Sequence, residues 1–482
     1  MNLLLPFVIA AGLLGVRQVP TGTHLHIRLT TAVGSYASRV GAAVPAVLIA
    51  PVEINGTTII PAGTLVSGRV KSVKRVGWGI VHETAALGLE FNDLTLGNGE
   101  SLPIDARLAQ VDNGREKVDR DGVIHASRST SSLCYRVSGY IRTVLDLHVE
   151  SALATWFIKE LIVRVPEPEI YYPAGSELTL NLTGPLDVKA PDPGHETPRL
   201  TRPERVNIGP LVEDLPSRTF SPRSNRPSDI VNVLFVGSRE ELSAAFTAAG
   251  WSQAHPSNLR SDIRSIRAVA EDHGYREAPM SSLLVNNAAP DMSWEKGLND
   301  ASKRHHIRIW KQDETWHGRE LWVGAATQDV NFAFFRPGQS LTHAVDWNID
   351  HERNKVADDL AFTGCAGAVD WLERPGVPHT AMNGTGDPMS TDARMALVSL
   401  NECAAPRLYT ETVDESPLPM HGGRMQRFVR REILSMRSDV IRTNIYYRAY
   451  EGTRWLIEAA IRRHQRLVQA SARSPLYGSK AQ

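Results

Sequence analysis

The sequence predicts an α+β protein of several domains: an N-terminal antiparallel β-barrel or sandwich, a C-terminal mixed α/β domain and a basic helical tail. Three observations favour this class. A turn-and-strand motif repeats within the first 183 residues, strands and helices mix without regular alternation after residue 229, and an arginine-rich helical stretch closes the chain. With 482 residues, the chain can form two or three domains of the usual ~100–200 residues.

The composition is that of an ordinary globular protein. Hydrophobic residues make up 42% and charged residues 22%, which excludes a disordered or fibrous protein. The formal net charge of zero argues against nucleic-acid binding by the chain as a whole. The three cysteines are too far apart for a zinc finger or a disulfide framework. Cys365 and Cys403 either pair in an oxidising compartment or stay as two buried thiols.

The first residues, MNLLLPFVIAAGLLGV, form an apolar run that contains small residues near its end. Such a run is typical of a signal peptide, so we expect residues 1–18 to direct export to the periplasm or to the membrane. No lysine or arginine precedes Arg17, however, and the run is too short for a membrane span. An uncleaved anchor and an ordinary first strand therefore remain alternatives.

A short motif, Pro-x-Gly-Ser/Thr, occurs at Pro20, Pro61 and Pro173. In each copy the turn is followed by alternating apolar residues, which is the pattern of a half-buried strand. Further strand-like runs with Asn-Gly turns lie between the copies. Residues 19–183 are therefore predicted to form the β-barrel or sandwich. A helical insertion from Gly139 interrupts it, and this insertion carries too many charges to span a lipid bilayer.

Residues 184–228 are predicted to form a semi-rigid linker between the two domains. Nine prolines lie between residues 184 and 229, together with many polar residues, and no apolar period is sustained. Such a stretch cannot bury enough apolar surface to offset the entropy that it loses on ordering. The second domain is therefore expected to begin after it.

A mixed α/β domain is expected over residues 229–405. A buried strand near residues 230–236 precedes Ser238-Arg239-Glu240-Glu241, a capping box that begins a helix. The segments KRHHIRIW and RELWVGAATQD alternate like strands and flank a polar turn with Gly318, so they predict a hairpin. A later helix ends at Gly364, and its residues at helical spacing are Ile349, Arg353, Val356 and Leu360.

Four segments of this domain, in this order and spacing, resemble the LssY C-terminal domain family of bacterial proteins. They are DIVNVLFVGSREELSAAFTAAGW, KRHHIRIW, GRELWVGAATQD and LTHAVDWNIDHERNKVADDL, and they span about residues 229–390. In that family the domain can follow membrane modules, including a lipid-phosphatase-like one, none of which is recognisable here. The β-rich domain in front resembles domains of exported and secretion-associated proteins. The resemblance implies a bacterial envelope protein and no particular reaction.

The segment KRHHIRIW carries the strongest candidate site. On a strand, His306, Arg308 and Trp310 share one face, while His305 lies on the other. Arginine provides a planar fork that matches phosphate or carboxylate, and histidine can transfer a proton near neutral pH. We therefore expect a pocket for an anionic ligand, a small molecule or a lipid headgroup, with hydrolysis as an extension. The expected catalytic residues are His306, His343 and Asp346, and the expected ligand-binding residues are Arg308, Trp310, Trp322 and Arg353.

Two other interpretations of this site remain open. A metal could bind one of the two adjacent histidines with His343 and Asp346, although no His-Glu-x-x-His or similar close pair favours it. Alternatively, the polar residues form a purely structural network, in which Arg353 pairs with Asp346 or Asp329. The protein would then be a non-catalytic assembly or secretion-associated protein. The sequence names no cofactor and leaves open whether the protein is an enzyme.

Residues 406–482 are predicted to form a basic helical tail. From Arg424 to Arg473 the sequence has twelve arginines against four acidic residues, with aromatic residues between them. This pattern is typical of a helix that binds a membrane surface or an acidic partner. A helix that packs on its own domain and keeps a solvated basic face fits equally well, and nucleic acid is the least favoured partner.

Overall fold

In the computed structural model, the described residues are 17–129, 132, 166–189, 197–255, 259–271, 273–275, 277–333, 342–403 and 422–443, with six isolated positions between 446 and 460. The apolar segment up to residue 16 and the insertion from Gly139 to Val165 lie outside them. The chain divides into two compact units. These are Met1–Val76 with Thr84–His421, and Gly77–Glu83 with Gly422–Gln482.

Antiparallel strands build the N-terminal domain. Those among the described residues are β1 (Arg17–Val19), β2 (His24–Leu29), β3 (Val33–Gly34), β4 (Ala46–Leu48), β5 (Val52–Ile54), β6 (Thr57–Ile60), β7 (Leu65–Lys74), β8 (Ala86–Thr95), β9 (Ser101–Pro103), β10 (Ala106–Val111), β11 (Lys117–Val118), β12 (Val123–His125), β13 (Tyr171–Tyr172), β14 (Glu177–Leu182) and β15 (Leu186–Val188). Nine of them form one nearly closed sheet in the order β10-β14-β2-β4-β7-β8-β12-β11, with β9 also paired to β8. This confirms the predicted antiparallel β-domain.

Each copy of the Pro-x-Gly-Ser/Thr motif precedes a strand of this sheet, namely β2, β7 and β14. Strands β2 and β14 pair directly, with Leu25 opposite Leu180 and Ile27 opposite Leu178. All four side chains are buried, as the alternation of apolar residues predicts. The repeat therefore marks three strands of a single sheet.

The expected linker over residues 184–228 is wrong for its described part, which is folded. It contains β15 and then α1 (Arg202–Asp214), β16 (Arg218–Ser221) and the start of β17 (Arg226–Ile230). Thr201 caps α1 in a capping box, and Pro203 lies in the first turn, where a missing N–H is tolerated. Ile208 and Val212, four residues apart, are buried. The proline content concealed this short amphipathic helix.

The C-terminal part of the first compact unit is a mixed β-sheet with helices, as predicted. Its further strands are β18 (Val233–Val236), β19 (Ser252–Gln253), β20 (Met292–Lys296), β21 (Arg304–Trp316), β22 (Arg319–Ala333), β23 (Thr342–Val345), β24 (Ala366–Glu373), β25 (Thr380–Met382), β26 (Pro388–Ser390) and β27 (Arg394–Leu400). Its helices are α2 (Arg239–Ala248), α3 (Leu259–Glu271) and α4 (Ile349–Phe362). Eight strands form the sheet in the order β19-β20-β21-β22-β18-β27-β24, with β23 on β22. Only the β18–β27 pair among them is parallel within the described strands.

Local signals in the sequence set several boundaries of these elements. Ser238 caps α2 in the predicted capping box. Strands β21 and β22 form the predicted hairpin around His317 and Gly318, which both have positive φ. Helix α4 ends two residues before Gly364, whose φ of +77° is the left-handed conformation that glycine favours.

Two hydrophobic cores lie on the two faces of the sheet. One contains Ile307 and Ile309 of β21 together with Phe246 of α2 and residues of α4. The other contains Trp310 of β21, and Ile208 of α1 packs there. Helix α1, from the stretch expected as a linker, thus covers one face of the sheet. Neighbouring residues of β21 therefore face opposite sides of the domain.

Cys365 and Cys403 form a disulfide, with their Cα atoms 4.6 Å apart. This settles the choice that the sequence left open between a pair and two separate thiols. The bond joins the residue that precedes β24 to a residue just after β27, the neighbouring strand in the sheet. It therefore fixes one edge of the second domain.

The second compact unit contains α5 (Arg424–Thr443), which is the described part of the predicted basic tail. Within this unit, Arg430 Nη1 donates to the carbonyl oxygen of Gly77 at 3.3 Å, and Arg437 Nη1 donates to that of Ile80 at 2.9 Å. None of the helices in the described part of the chain is both long enough and apolar enough to cross a membrane.

Candidate functional site

Strand β21 separates two cavities, one on each side of the second domain's sheet. Its side chains alternate, so Arg304, His306 and Arg308 line one cavity while His305 lines the other. This confirms the predicted alternation within KRHHIRIW. We call the first the arginine cavity, because Arg304 and Arg308 line it, and the second the acidic cavity, because carboxyl groups dominate its wall.

The arginine cavity has a volume of about 520 Å³, which is in the range of small-molecule sites. Asp329 lines this cavity and lies close to three of its basic side chains. Arg304 Nε donates to Asp329 Oδ2 at 3.0 Å, and the nearest imidazole nitrogens of His306 and His343 both lie 3.6 Å from this carboxylate. Burial alone would raise the pKa of Asp329, but its charged neighbours keep that pKa below the usual value. His306, Arg304 and His343 all contribute to this lowering of the pKa, and Arg304 adds a hydrogen bond to its charge.

Both histidines of this cavity are neutral near pH 7. Burial, reinforced by Arg308 and Arg304 against the opposing effect of Asp329, lowers the pKa of His306 to about 3. Burial also lowers the pKa of His343. Nδ1 of His306 contacts the carbonyl oxygen of Thr327, so Nδ1 carries the proton and Nε2 is left as an acceptor. Neither neutral imidazole is an effective general acid at this pH, and the low pKa of His306 also makes it a weak proton acceptor.

Hydrogen bonds to neighbouring residues fix the guanidinium groups of Arg308 and Arg304. Arg308 Nε donates to the carbonyl oxygen of Ser281 at 3.1 Å, Nη2 donates to Ser281 Oγ at 3.1 Å, and Nη1 donates to Asp229 Oδ2 at 3.4 Å. Arg304 Nη1 donates to Glu295 Oε2 at 2.9 Å. A guanidinium carries five N–H groups, so both arginines keep donors that no described residue uses.

Two carboxyl groups that these arginines contact, Glu295 and Asp229, have raised pKa values. Burial raises the pKa of Glu295 to about 8, even though the positive charge of Arg304 opposes the shift. Burial also raises the pKa of Asp229, against the effect of Arg308. A neutral Glu295 leaves the positive charge of Arg304 balanced by Asp329 alone. The cavity is therefore suited to a negatively charged group more than to a positive one.

Both predicted tryptophans lie away from this cavity. Trp310 is buried in the core beneath α1 and donates from Nε1 to the carbonyl oxygen of Ala288 at 3.0 Å. Trp322 is buried in the opposite core, where Nε1 donates to the carbonyl oxygen of Gly237 at 2.9 Å. The expectation that they form the wall of the ligand pocket is wrong, because both indoles fill the hydrophobic cores.

The predicted convergence of Arg353 and Asp346 with Arg308 is also wrong. Helix α4 packs on the face of the sheet that carries Ile307 and Ile309, the side opposite the arginine cavity. Arg353 Nη2 instead donates to Asp392 Oδ2 at 3.1 Å, and its Nη1 lies 3.1 Å from Asp350 Oδ1. Of the predicted site residues, the structure brings together His306, Arg308 and His343 only.

Asp346 lines the acidic cavity and accepts a hydrogen bond from His351 Nδ1 at 3.1 Å. Sequence reasoning placed it beside His343, which precedes it by three residues. His343 lies within β23, whereas Asp346 follows the end of that strand and precedes α4, and the two side chains line different cavities. The predicted pairing of Arg353 with Asp346 or Asp329 is likewise wrong, because Asp392 and Asp350 are its partners.

Sequence reasoning missed Arg304, Asp229 and Ser281 of the arginine cavity. The signal for Arg304 was present, because it lies two residues before His306 and alternation places both on one face. No local pattern points to the other two. Asp229 lies in β17, and Ser281 lies between α3 and β20, so only the folded chain brings them to Arg308.

In the acidic cavity, whose volume is about 580 Å³, the two domains of the first unit meet. His305 Nε2 lies 2.8 Å from Asp112 Oδ2 of the N-terminal domain, and its Nδ1 lies 2.5 Å from Glu352 Oε2 of α4. Burial would lower the pKa of His305, but Asp112 and Glu352 together raise it to about 10. His305 is therefore an imidazolium at neutral pH and connects the two domains.

A second ionic network adjoins His305. The Glu177 carboxylate contacts Arg28 at 2.7 Å, Lys296 at 2.6 Å and Lys355 at 2.6 Å. Asp359 contacts both lysines, at 2.9 Å and 3.2 Å. Although burial opposes it, these cations keep the pKa of Glu177 well below its usual value. The boundary between the domains is thus ionic, and it buries charges from four separate parts of the chain.

The described residues contain no group of three or more histidine, cysteine, aspartate or glutamate side chains arranged to hold a metal ion. Within the arginine cavity, Asp329 is the carboxylate nearest both histidines, and Arg304 already occupies its Oδ2. The arrangement in this cavity offers hydrogen bonding, charge pairing and proton acceptance by the neutral imidazole of His343.

Comparison with known proteins agrees with the sequence resemblance. Residues 213–395 match the family model described as LssY C-terminus. Among solved structures, the chain is similar to ComB10 of the Com type IV secretion system of Helicobacter pylori, with 9% identity and a TM-score of 0.20, over 36% of this chain and 90% of that one. At that TM-score the similarity is too weak to bear on fold or function. No curated protein matches the chain.

Proposed function

We propose that the arginine cavity binds an anionic group, a phosphate or carboxylate, carried by a small molecule or a lipid headgroup. The observation that carries this proposal is the position of Arg304 and Arg308 in one open cavity with N–H groups to spare. A planar guanidinium matches the geometry of phosphate and carboxylate oxygens. The chain would act as a bacterial envelope protein of the LssY C-terminal type.

The neighbouring groups support an anion in particular. Glu295 has a pKa of about 8, so an added anion would meet little repulsion from it, and burial also raises the pKa of Asp229. His306 and His343 are neutral and so add no repulsion of their own. Hydrolysis of the bound ester is the extension of this proposal, with the partly exposed His343 accepting a proton from water. The alternative is a non-catalytic assembly or secretion-associated protein with a purely structural network.

Thermal melts with and without inorganic phosphate test the binding step. Phosphate should raise the Tm of the unmodified protein, and Arg308→Lys should abolish that rise, because lysine keeps the charge but loses the fork. The expected loss of affinity is about 1–3 kcal/mol. Arg353→Lys is the matched control, since it changes a buried arginine outside the cavity. Its Tm should fall, while the rise with phosphate should persist.

A Tm of the unmodified protein that does not respond to phosphate, together with destabilisation by both substitutions, would show that the network is structural only. Hydrolysis has a separate test, in which p-nitrophenyl phosphate and p-nitrophenyl acetate are offered as substrates. Turnover that disappears in His343→Gln supports catalysis. Binding of phosphate without any turnover would limit the proposal to recognition.

We further propose that the protein is exported. The Cys365–Cys403 disulfide supports this, because such bonds persist in oxidising compartments such as the periplasm. Trapping free thiols with an alkylating agent in intact host cells, followed by mass spectrometry, should find both cysteines protected. Alkylation of both would contradict export.

A membrane surface is the proposed partner of α5. The helix contains six arginines, and Met425 and Met436 are largely exposed beside them. Arginine together with exposed apolar side chains is typical of a helix that lies on anionic lipid. The full chain should sediment with vesicles containing phosphatidylglycerol at low salt and much less in high salt. Equal sedimentation with neutral vesicles would contradict this partner.

A further inference from the structure

The arginine cavity is much larger than a single phosphate or carboxylate group. Its volume of about 520 Å³ is in the range of cavities that enclose drug-sized molecules. A phosphate group alone fills only a small part of such a space. Arg304 and Arg308, which would hold the anion, line the part of the cavity along β21. The rest of the cavity has room for the organic group to which the anion is attached.

Apolar side chains line a large part of the arginine cavity. Val269 of α3 and Val345 of β23 lie in its wall and are partly exposed. The chain between α3 and β20 contributes three more partly exposed residues: Tyr275, Ala278 and Pro279. Apolar atoms make up the larger share of the cavity surface. Covering such surface with a hydrocarbon group removes it from water, which is favourable.

The segment that supplies these apolar side chains also contacts a guanidinium group. Ser281 follows Pro279 by two residues. Its carbonyl oxygen accepts a hydrogen bond from Arg308 Nε at 3.1 Å, and its Oγ accepts one from Arg308 Nη2 at 3.1 Å. An anion bound to Arg308 would therefore lie beside the start of the apolar surface.

Many polar groups of the cavity wall already make hydrogen bonds within the protein. Asn383 Oδ1 accepts from the backbone N–H of Thr385 at 3.0 Å and from Thr385 Oγ1 at 2.7 Å. Ser228 Oγ accepts from the backbone N–H of Gly384 at 3.0 Å. Three further serines of the wall also have partners within the protein: Ser221, Ser265 and Ser281. The wall therefore offers few free partners to a sugar or another polyhydroxy compound.

We propose that the ligand of the arginine cavity is an amphiphile, in which a phosphate or carboxylate head carries an aliphatic body. The head binds Arg304 and Arg308, and the body packs against Val269, Tyr275 and Pro279. This inference rests on the anion binding proposed above and adds the chemical class of the organic part. A membrane lipid and a free alkyl phosphate share this chemistry.

Isothermal titration of the full chain with three phosphates tests the proposal: inorganic phosphate, glucose 6-phosphate, and octyl phosphate below its micelle concentration. Octyl phosphate should bind at least about tenfold more tightly than inorganic phosphate, because its chain covers apolar surface. Glucose 6-phosphate has a polar body and should bind no more tightly than inorganic phosphate. Arg308→Lys should weaken the binding of octyl phosphate, and octyl glucoside, which lacks the charge, should bind far more weakly.

Val269→Ser removes apolar surface from the wall and leaves both arginines in place. It should weaken the binding of octyl phosphate by about three- to tenfold. The affinity for inorganic phosphate should stay the same, because the head does not contact Val269. Val206→Ser is the matched control, since this helical valine is 70% exposed and lies outside the cavity. If Val269→Ser fails to fold, Val345→Thr places a hydroxyl group in the wall with little change of shape and should act in the same way.

Equal affinities for octyl phosphate and inorganic phosphate would overturn this inference and leave the proposed anion binding intact. So would an equal loss of both affinities in Val269→Ser, or tighter binding of glucose 6-phosphate than of octyl phosphate. Absence of binding by all three phosphates would overturn the anion site as well. Vesicles with phosphatidic acid distinguish two sources that both fit the proposal, because a membrane lipid displaces octyl phosphate, whereas resistance to displacement indicates a free amphiphile.

Discussion

His305 and His306 are adjacent and almost equally buried, yet their pKa values move in opposite directions. The pKa of His305 rises to about 10, whereas that of His306 falls to about 3. His305 lies between two carboxylates, Asp112 and Glu352, and contacts both. His306 has one carboxylate at 3.6 Å and two arginines nearby. Burial lowers the pKa of both rings, so the charges around each ring account for the difference between their pKa values.

The same contrast holds for the two cavities that these histidines line. On one side of β21 the cavity is lined by Arg304 and Arg308, and on the other side seven carboxyl groups line the cavity. A strand can separate such regions because its side chains alternate and the sheet lies between them. Arg304 and Arg308 are thus kept apart from the carboxyl groups of the acidic cavity.

Glu177→Gln should have the largest effect on stability, because three buried cations lose the carboxylate that neutralises them. Removing one partner from a buried ionic network typically costs about 3–5 kcal/mol. Urea unfolding of both proteins measures the difference. A loss below about 1 kcal/mol would mean that water reaches this boundary and that the two domains are joined by other contacts.

The free energy of unfolding should decrease as the pH rises above neutral, because of His305. Its pKa in the folded protein, about 10, lies above the ordinary 6.5. The folded state therefore keeps a proton that the unfolded chain releases, so this stabilisation is complete below pH 6.5 and is lost as the pH rises through 10. The expected loss is on the order of a few kcal/mol. Unfolding of His305→Gln should start from lower stability and show a flatter profile between pH 7 and pH 10.

His306 should make the free energy of unfolding decrease as the pH falls, which is the opposite pH dependence. Its pKa in the folded protein, about 3, lies below the ordinary 6.5, so the unfolded chain binds a proton that the folded state excludes. Its stabilisation is present above pH 6.5 and is lost as the pH falls towards 3. We expect a loss on the order of 1–2 kcal/mol, since solvent in the open cavity can assist protonation. His306→Gln should remove this part of the acid slope and leave the alkaline slope unchanged.

The smallest effect on stability is expected for an exposed ion pair on the hairpin of β21 and β22. Lys311 and Glu320 form an ion pair on neighbouring strands, with both side chains more than a third exposed. Exposed pairs contribute about 0.2–1 kcal/mol and are screened by salt. Glu320→Gln should therefore change the urea midpoint little. A loss as large as that of Glu177→Gln would show that burial does not account for the difference between the two pairs.

The local regularities of the sequence determined much of this fold. Alternation located β2, β7, β14 and both faces of β21, and the Ser238 capping box located the start of α2. These signals are informative because the face of a strand or helix that packs on a core carries apolar residues, which therefore recur with the period of that element. The helix over residues 202–214 escaped notice because prolines dominated the composition around it, although its capping box was present.

The partners of the charged residues were decided only by the tertiary structure. His305 meets Asp112 from 193 residues away, and Arg353 pairs with Asp392 rather than with Asp346 or Asp329. Spacing along the chain tells which side chains face inward, but not which distant segment packs against them. The sequence by itself therefore determined the two faces of KRHHIRIW. The charged groups around each face depend on which segments pack there. Helix α4 and the N-terminal domain pack on one side, and the segment around Ser281 packs on the other.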